Sequence, residues 1–243
     1  MRITKFGGRE MLDKMMGSDN KFHRFMGNLF YMAIVNILWI VCCLPVFTFG
    51  ASTAAMYTSA FKIIRGKEGR LTDEFFTAFR RNFRQALPIT VIMLFTAALL
   101  ATGIVGLRGM EQSNSILYGI LIVLCVAAVA IFSYVYPLLA LFDNTTPVLF
   151  NNAWRLALAN LPVTMMCVIL NSFLLLLLYT IPGAFAYVIG PWIVFGFALV
   201  HLIDATYLYK IFEKYMPEEE KESDETEEAE EADQSASGTP KRS

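Results

Sequence analysis

The sequence predicts an all-α, polytopic helical membrane protein, and three observations carry that expectation. From residue 26 to residue 61 the chain contains no Asp, Glu, Lys, Arg or His. About 20 apolar residues cross the bilayer hydrocarbon as one helix, so this run is too long for a single pass. Apolar residues make up 56% of the chain and the mean hydropathy is +0.51, well beyond ordinary globular usage. Four more apolar stretches of membrane length follow, near 88–107, 116–141, 162–180 and 183–209.

A basic segment, 1–25, precedes the first span at 26–43. Pro45 and Gly50 then interrupt the uncharged run where a helix would stop. The piece after them, 51–65, is the uncertain element. Its 15 residues reach about 22 Å at 1.5 Å each, short of the roughly 30 Å hydrocarbon core. Charge arbitrates, because Lys and Arg concentrate on cytoplasmic loops. Arg2, Lys5, Arg9, Lys14, Lys21 and Arg24 precede the run; Lys62, Arg65, Lys67, Arg70, Arg80, Arg81 and Arg84 follow it. Both clusters lie inside only if 51–65 returns across the membrane. Six spans with both termini cytoplasmic then satisfy the rule at every loop, whereas five spans, with 51–65 not a full crossing, violate it once.

The net charge of −1 hides two opposite parts. Residues 1–216 hold 17 basic and 10 acidic residues; residues 217–243 hold 3 basic and 11 acidic. The membrane domain is thus expected over 26–216, followed by a disordered acidic tail over 217–243, whose dense like charge cannot offset the entropy of ordering. Cys42, Cys43, Cys125 and Cys167 all sit in apolar runs and read as small hydrophobes, with no disulfide or metal spacing. A signal peptide cleaved near 51–55 fits badly, because a charged segment precedes an overlong core and further spans follow.

Two cytoplasmic connections resemble each other: TDEFFTAFRRNFRQALP (72–88) and TPVLFNNAWRLALANLP (146–162). Each opens with Thr, a good N-cap, and closes with Leu-Pro, which can open the next span. Interfacial helices are expected over 73–87 and 147–161. In the first, Phe76, Phe79 and Phe83 share a face, with Arg80, Arg81 and Arg84 largely opposite. That pattern suits a helix lying on the membrane, aromatics toward acyl chains and arginines toward anionic headgroups. It equally suits a helix packing its Phe stripe on the protein itself. LLALFDNT (138–145) also echoes LVHLIDAT (199–206), which sets Asp143 opposite Asp204 and points to two parallel repeats.

Catalytic motifs are missing from the sequence: it contains no Gly-rich phosphate loop, nucleophile elbow or paired His-Glu metal motif. The sequon Asn144-Thr145-Thr146 falls on the cytoplasmic side in this topology and is discounted. The candidate functional residues are polar groups at membrane depth and the breakers of the first run. His201 and Asp204 stand three apart on one face of the last span, where ionisable groups are costly and mark a relay or ligand contact. Asn36, with Asn171, more often joins helices than binds ligands. Pro45 and Gly50 mark a break of the kind that forms transporter sites. No cofactor, metal or nucleic-acid partner is expected.

The N-terminal block, NILWIVCCLPVFTFGASTAAMY (36–57) followed by Arg65-Gly66-Lys67-Glu68-Gly69 and FFTAFRRNFRQA (75–86), resembles the YesL family of bacterial integral membrane proteins. The likeness is specific over about 20–90 and continues as hydropathy and spacing to about 215. The resemblance implies no catalytic residues, since the family has no established activity. Its members are often encoded beside carbohydrate ABC transporters and two-component regulators. The expectation is therefore a non-catalytic protein of the cell membrane that assists or regulates carbohydrate uptake through a permease or sensor kinase. The alternative is a small transporter whose polar path involves His201, Asp204 and Asn36. Oligomeric state stays open.

Overall fold

The computed structural model describes residues 27, 30–65, 71–108, 115–181, 183, 187 and 190–216. The basic segment 1–25 and the acidic tail 217–243 lie outside the described residues, as do most of the expected loops at 108–115 and 180–191. Among the described residues, seven α-helices follow one another: α1 Phe30–Cys43, α2 Phe49–Ile64, α3 Leu71–Arg108, α4 Ser115–Leu141, α5 Thr146–Ala159, α6 Leu161–Thr180 and α7 Phe197–Phe212. A π-helical turn, Trp192–Gly196, leads into α7. No strand occurs among the described residues.

The break after α1 is built by its own side chains. Pro45 caps a 3-10 turn, Val46–Thr48, whose last amide bonds the Pro45 carbonyl at 2.9 Å. The Thr48 hydroxyl closes back on the Cys42 and Pro45 carbonyls, so the end of α1 is not left unpaired. α1 and α2 then form a hairpin. The Trp39 indole donates to Thr53 at 3.2 Å, and Tyr31, Met32 and Val35 pack near Met56 and Ala60 further along.

α2 is the axis of the bundle, with α1, α3, α4 and α7 packed around it. Small residues (Gly50, Ala51, Ser52, Ala54, Ala55, Ser59, Ala60) let neighbours approach closely, as in membrane helix interfaces. Hydroxyls of Ser52, Thr58 and Ser59 bond carbonyls one turn back and are thereby paired within the helix. Gly50 is the tightest crossing. Its amide donates to Thr90 Oγ1 at 3.1 Å, and a Cβ there would stand 2.2 Å from that oxygen.

Four helices are long and apolar enough to cross a membrane: Thr72–Leu107, Ser115–Leu141, Leu161–Leu178 and Trp192–Tyr215. α1 is apolar but shorter. The segment expected as span 51–65 forms a helix that begins at Phe49, with 11 residues buried against other helices. The long helices turn apolar side chains outward: Phe95 and Leu99 on α3, Ile116 and Val123 on α4, and Leu175 on α6. Such a surface fits hydrocarbon rather than water.

The connection expected as a separate interfacial helix at 73–87 is continuous with the span after it, since α3 passes through Pro88 without a break. The residues flanking the proline are held from outside, with Ala86 and Ile89 fully buried in the core. The second connection does stay separate: α5 ends at Asn160, and α6 begins with Pro162 in its first turn. Of the expected stripe, Phe79 and Phe83 pack on the core while Phe76 is exposed, and the fully buried aromatic of this turn is Phe75.

A polar cluster beside an intramembrane cavity

α7 carries two ionisable groups into the bundle. Asp204 lies mid-helix and is fully buried. Its Oδ2 accepts from Asn171 Nδ2 of α6 at 2.6 Å, with the Tyr57 hydroxyl of α2 in a longer contact at 3.4 Å. Asn171 Nδ2 also donates to the Cys167 carbonyl at 2.9 Å, and the Cys167 thiol lies beside the carboxylate. Asp204 Oδ1 is buried without a hydrogen-bond partner. A buried carboxylate is costly unless hydrogen-bonded, and α2 and α6 supply donors in place of water.

His201 stands one turn earlier, 7% exposed, between the rings of Tyr57 (4.9 Å) and Trp39 (5.9 Å). Its Nδ1 lies 2.7 Å from the Phe197 carbonyl. A carbonyl only accepts, so Nδ1 carries the proton and Nε2 is left as an acceptor.

Both groups border one cavity of about 510 Å³, lined by residues of α1, α2, α3, α4, α6 and α7. That size is ordinary for a small-molecule site. One wall is hydrocarbon, including Leu100, Ile104 and Phe132; the facing wall presents Thr53, Tyr57, Asn171 and His201. Among the described residues, no Lys, Arg, Asp or Glu lines it, and none form a cluster suited to a metal ion.

The other candidates lie elsewhere. Asn36 is fully buried and grips the π-helical turn, donating to Trp192 O at 3.2 Å and Ile193 O and accepting from the Ala198 amide at 2.7 Å. It joins α1 to the start of α7 and does not line the cavity. Pro45 shapes the turn and Gly50 the α2–α3 crossing, both described above. Arg80, Arg81 and Arg84 are exposed on α3, but Arg81 is committed within the protein, donating to the Ala140 carbonyl at 3.1 Å. Asp143 is exposed between α4 and α5, unlike its sequence echo Asp204.

Tyr57 and Thr53 went unremarked in the sequence. Both sit in the small-residue stretch ASTAAMYTSA, where a bulky or hydroxylated side chain among alanines marks the face that meets neighbours. The side chains that gather around Asp204 come from α2, α6 and α7, and only the fold reveals that.

Residues 32–104 match a family described as "Protein of unknown function, DUF624". The resemblance to the YesL family agrees with that match, since YesL proteins are members of it. The match covers α1, α2 and most of α3, and so includes Asn36, Pro45, Gly50 and Tyr57 but not Asn171, His201 or Asp204. No curated protein and no solved structure matches the chain.

Proposed function

We propose that this chain is a six-pass membrane protein with both termini on the cytoplasmic side, and that it works as a small transporter binding its solute in the cavity beside His201 and Asn171. The observation that carries the reading is the cavity itself, a space between the helices with polar lining backed by a buried carboxylate. Short, interrupted helices around a central site are the pattern of transporter folds. Here α1 and α2 are separated by a break at Pro45, and a π-helical turn precedes α7. The six-pass topology counts α1 and α2 as a hairpin, which keeps both basic clusters inside.

Proteoliposomes test the transport reading. Flux of protons or of small hydroxylated solutes above that of empty vesicles is expected, lowered at least about tenfold by Asp204→Asn, because that carboxylate holds the Asn171 and Tyr57 side chains that line the cavity. Absence of both fluxes, or an indifferent Asp204→Asn, removes the reading. For topology, a cysteine placed at 70 should react only from the cytoplasmic side and one at 48 only from outside. Labelling of position 70 from outside overturns six passes.

A second reading makes the chain an accessory or regulatory partner of a carbohydrate uptake system, contacting an ABC permease or a sensor kinase. It is favoured by the turn after α1, where Leu44, Val46 and Phe47 are all exposed beside buried Thr48. Recovery of such a component with the protein from native membranes, together with no flux, would select this reading over the first.

A further inference from the structure

The hydrogen-bond inventory of the cavity wall says which ligand chemistry it can accept. His201 Nε2 is an acceptor, because Nδ1 is committed to Phe197 O. Both Asn171 amide hydrogens are used, on Cys167 O and Asp204 Oδ2, which leaves its Oδ1 as an acceptor. The Ser133, Thr96 and Tyr136 hydroxyls direct their protons to Val129 O, Ile92 O and Met93 Sδ. Tyr57 directs its proton to Asp204. Trp39 spends its indole N–H on Thr53, whose own hydroxyl proton is left uncommitted, as is the weak Cys125 thiol donor. The polar wall is therefore acceptor-rich and carries no cationic side chain. Asp204 lies behind it, screened by Asn171 and Tyr57 and not itself lining the space.

We propose that the cavity selects an uncharged amphiphile with a hydroxylated head, its hydroxyl protons on His201 Nε2 and Asn171 Oδ1 and its chain against the apolar wall. This rests on the reading of the cavity as a binding site. Carboxylate and phosphate heads bring only acceptors to an acceptor wall and would be left unpaired when desolvated. An ammonium head would give up its hydration for neutral partners, since the nearby carboxylate, Asp204, does not line the space.

Trp39 provides the measurement, because it lines the cavity and is only 7% exposed, hence shielded from bulk lipid. In nanodiscs, with Trp154→Phe and Trp192→Phe leaving Trp39 as the sole indole, a bromine-bearing probe quenches only on entering the cavity. The probes are ω-bromoundecanol, ω-bromoundecanoate, ω-bromoundecylamine and bromoundecane, at mildly alkaline pH. Saturable quenching by the alcohol is expected at a concentration at least about fivefold below that of any other probe, the worth of roughly one hydrogen bond. His201→Phe should erase that gap while leaving quenching by bromoundecane in place, and Ala97→Phe, which fills the cavity from α3, should abolish quenching by all four. Equal or tighter binding of the carboxylate, amine or alkane overturns the proposed selectivity and leaves the cavity a binding site. No quenching by any probe, in parent and Ala97→Phe alike, overturns the binding site itself.

Discussion

The two repeats begin alike in sequence and end differently in structure. Leu87-Pro88-Ile89-Thr90 and Leu161-Pro162-Val163-Thr164 both place a threonine two residues after the proline. Each threonine bonds the carbonyl four residues back, Thr90 to Ala86 at 2.8 Å and Thr164 to Asn160 at 3.0 Å. Yet Pro88 is swallowed by one helix of 38 residues, while Pro162 opens a new one. The repeat ends diverge further: Asp143 is exposed in the α4–α5 connection, whereas Asp204 is buried mid-helix. A shared local pattern fixes where a chain is able to turn. Packing against α2 decides whether it does so, and which carboxylate is drawn inside.

The largest test of this contrast lies in the two aspartates. Asp204→Ala should lower stability by about 3 kcal/mol, since it strands the Asn171 amide and the Tyr57 hydroxyl and opens a small void. Asp143→Ala should change it by about 0.5 kcal/mol or less, as exposed substitutions do. Reversible unfolding in mixed micelles measures both, and equal losses would break the comparison. Next comes the place where α2 meets the first repeat. Gly50→Ala sets a methyl into Thr90 Oγ1 and near the Ala86 carbonyl, so a loss of about 2 kcal/mol is expected from overpacking. A neutral result would show that α3 can slide away, and that α2 does not hold the first repeat in place. The smallest effect concerns the prolines. Pro88→Ala restores an amide inside α3 and should stabilise by about 1 kcal/mol, while Pro162→Ala in the first turn of α6 should stay within about 0.3 kcal/mol. Equal responses would mean that the two junctions differ only in name.

The helical membrane class was legible from hydropathy alone, because length and apolarity decide what can sit in hydrocarbon. The break at Pro45 was legible too and sits between α1 and α2, whereas Gly50 falls inside α2, at its crossing with α3. What hydropathy could not separate was crossing a membrane from being enclosed by other helices. The AST and TSA residues of α2 look apolar enough for either, and their burial depends on partners far along the chain. The site divided in the same way. His201 and Asp204 stand out in a sequence because charge at that depth is rare, whereas Tyr57 and Thr53 are ordinary residues until α6 and α7 are placed beside them. Asn36 was singled out for its polarity, and that polarity serves the backbone of α7.

That last bond sets a register. A π-helical turn holds one more residue than the regular helix would, and each residue corresponds to about 100° of rotation. Everything after Gly196 is therefore turned by about that angle relative to an unbroken helix. Asn36 holds the turn open from both sides, taking the 192 and 193 carbonyls and the 198 amide. The direction in which His201 and Asp204 face is thus set at the turn before α7 by a side chain of the first helix, and α1 works as the detent of a dial whose pointer is the polar face of α7.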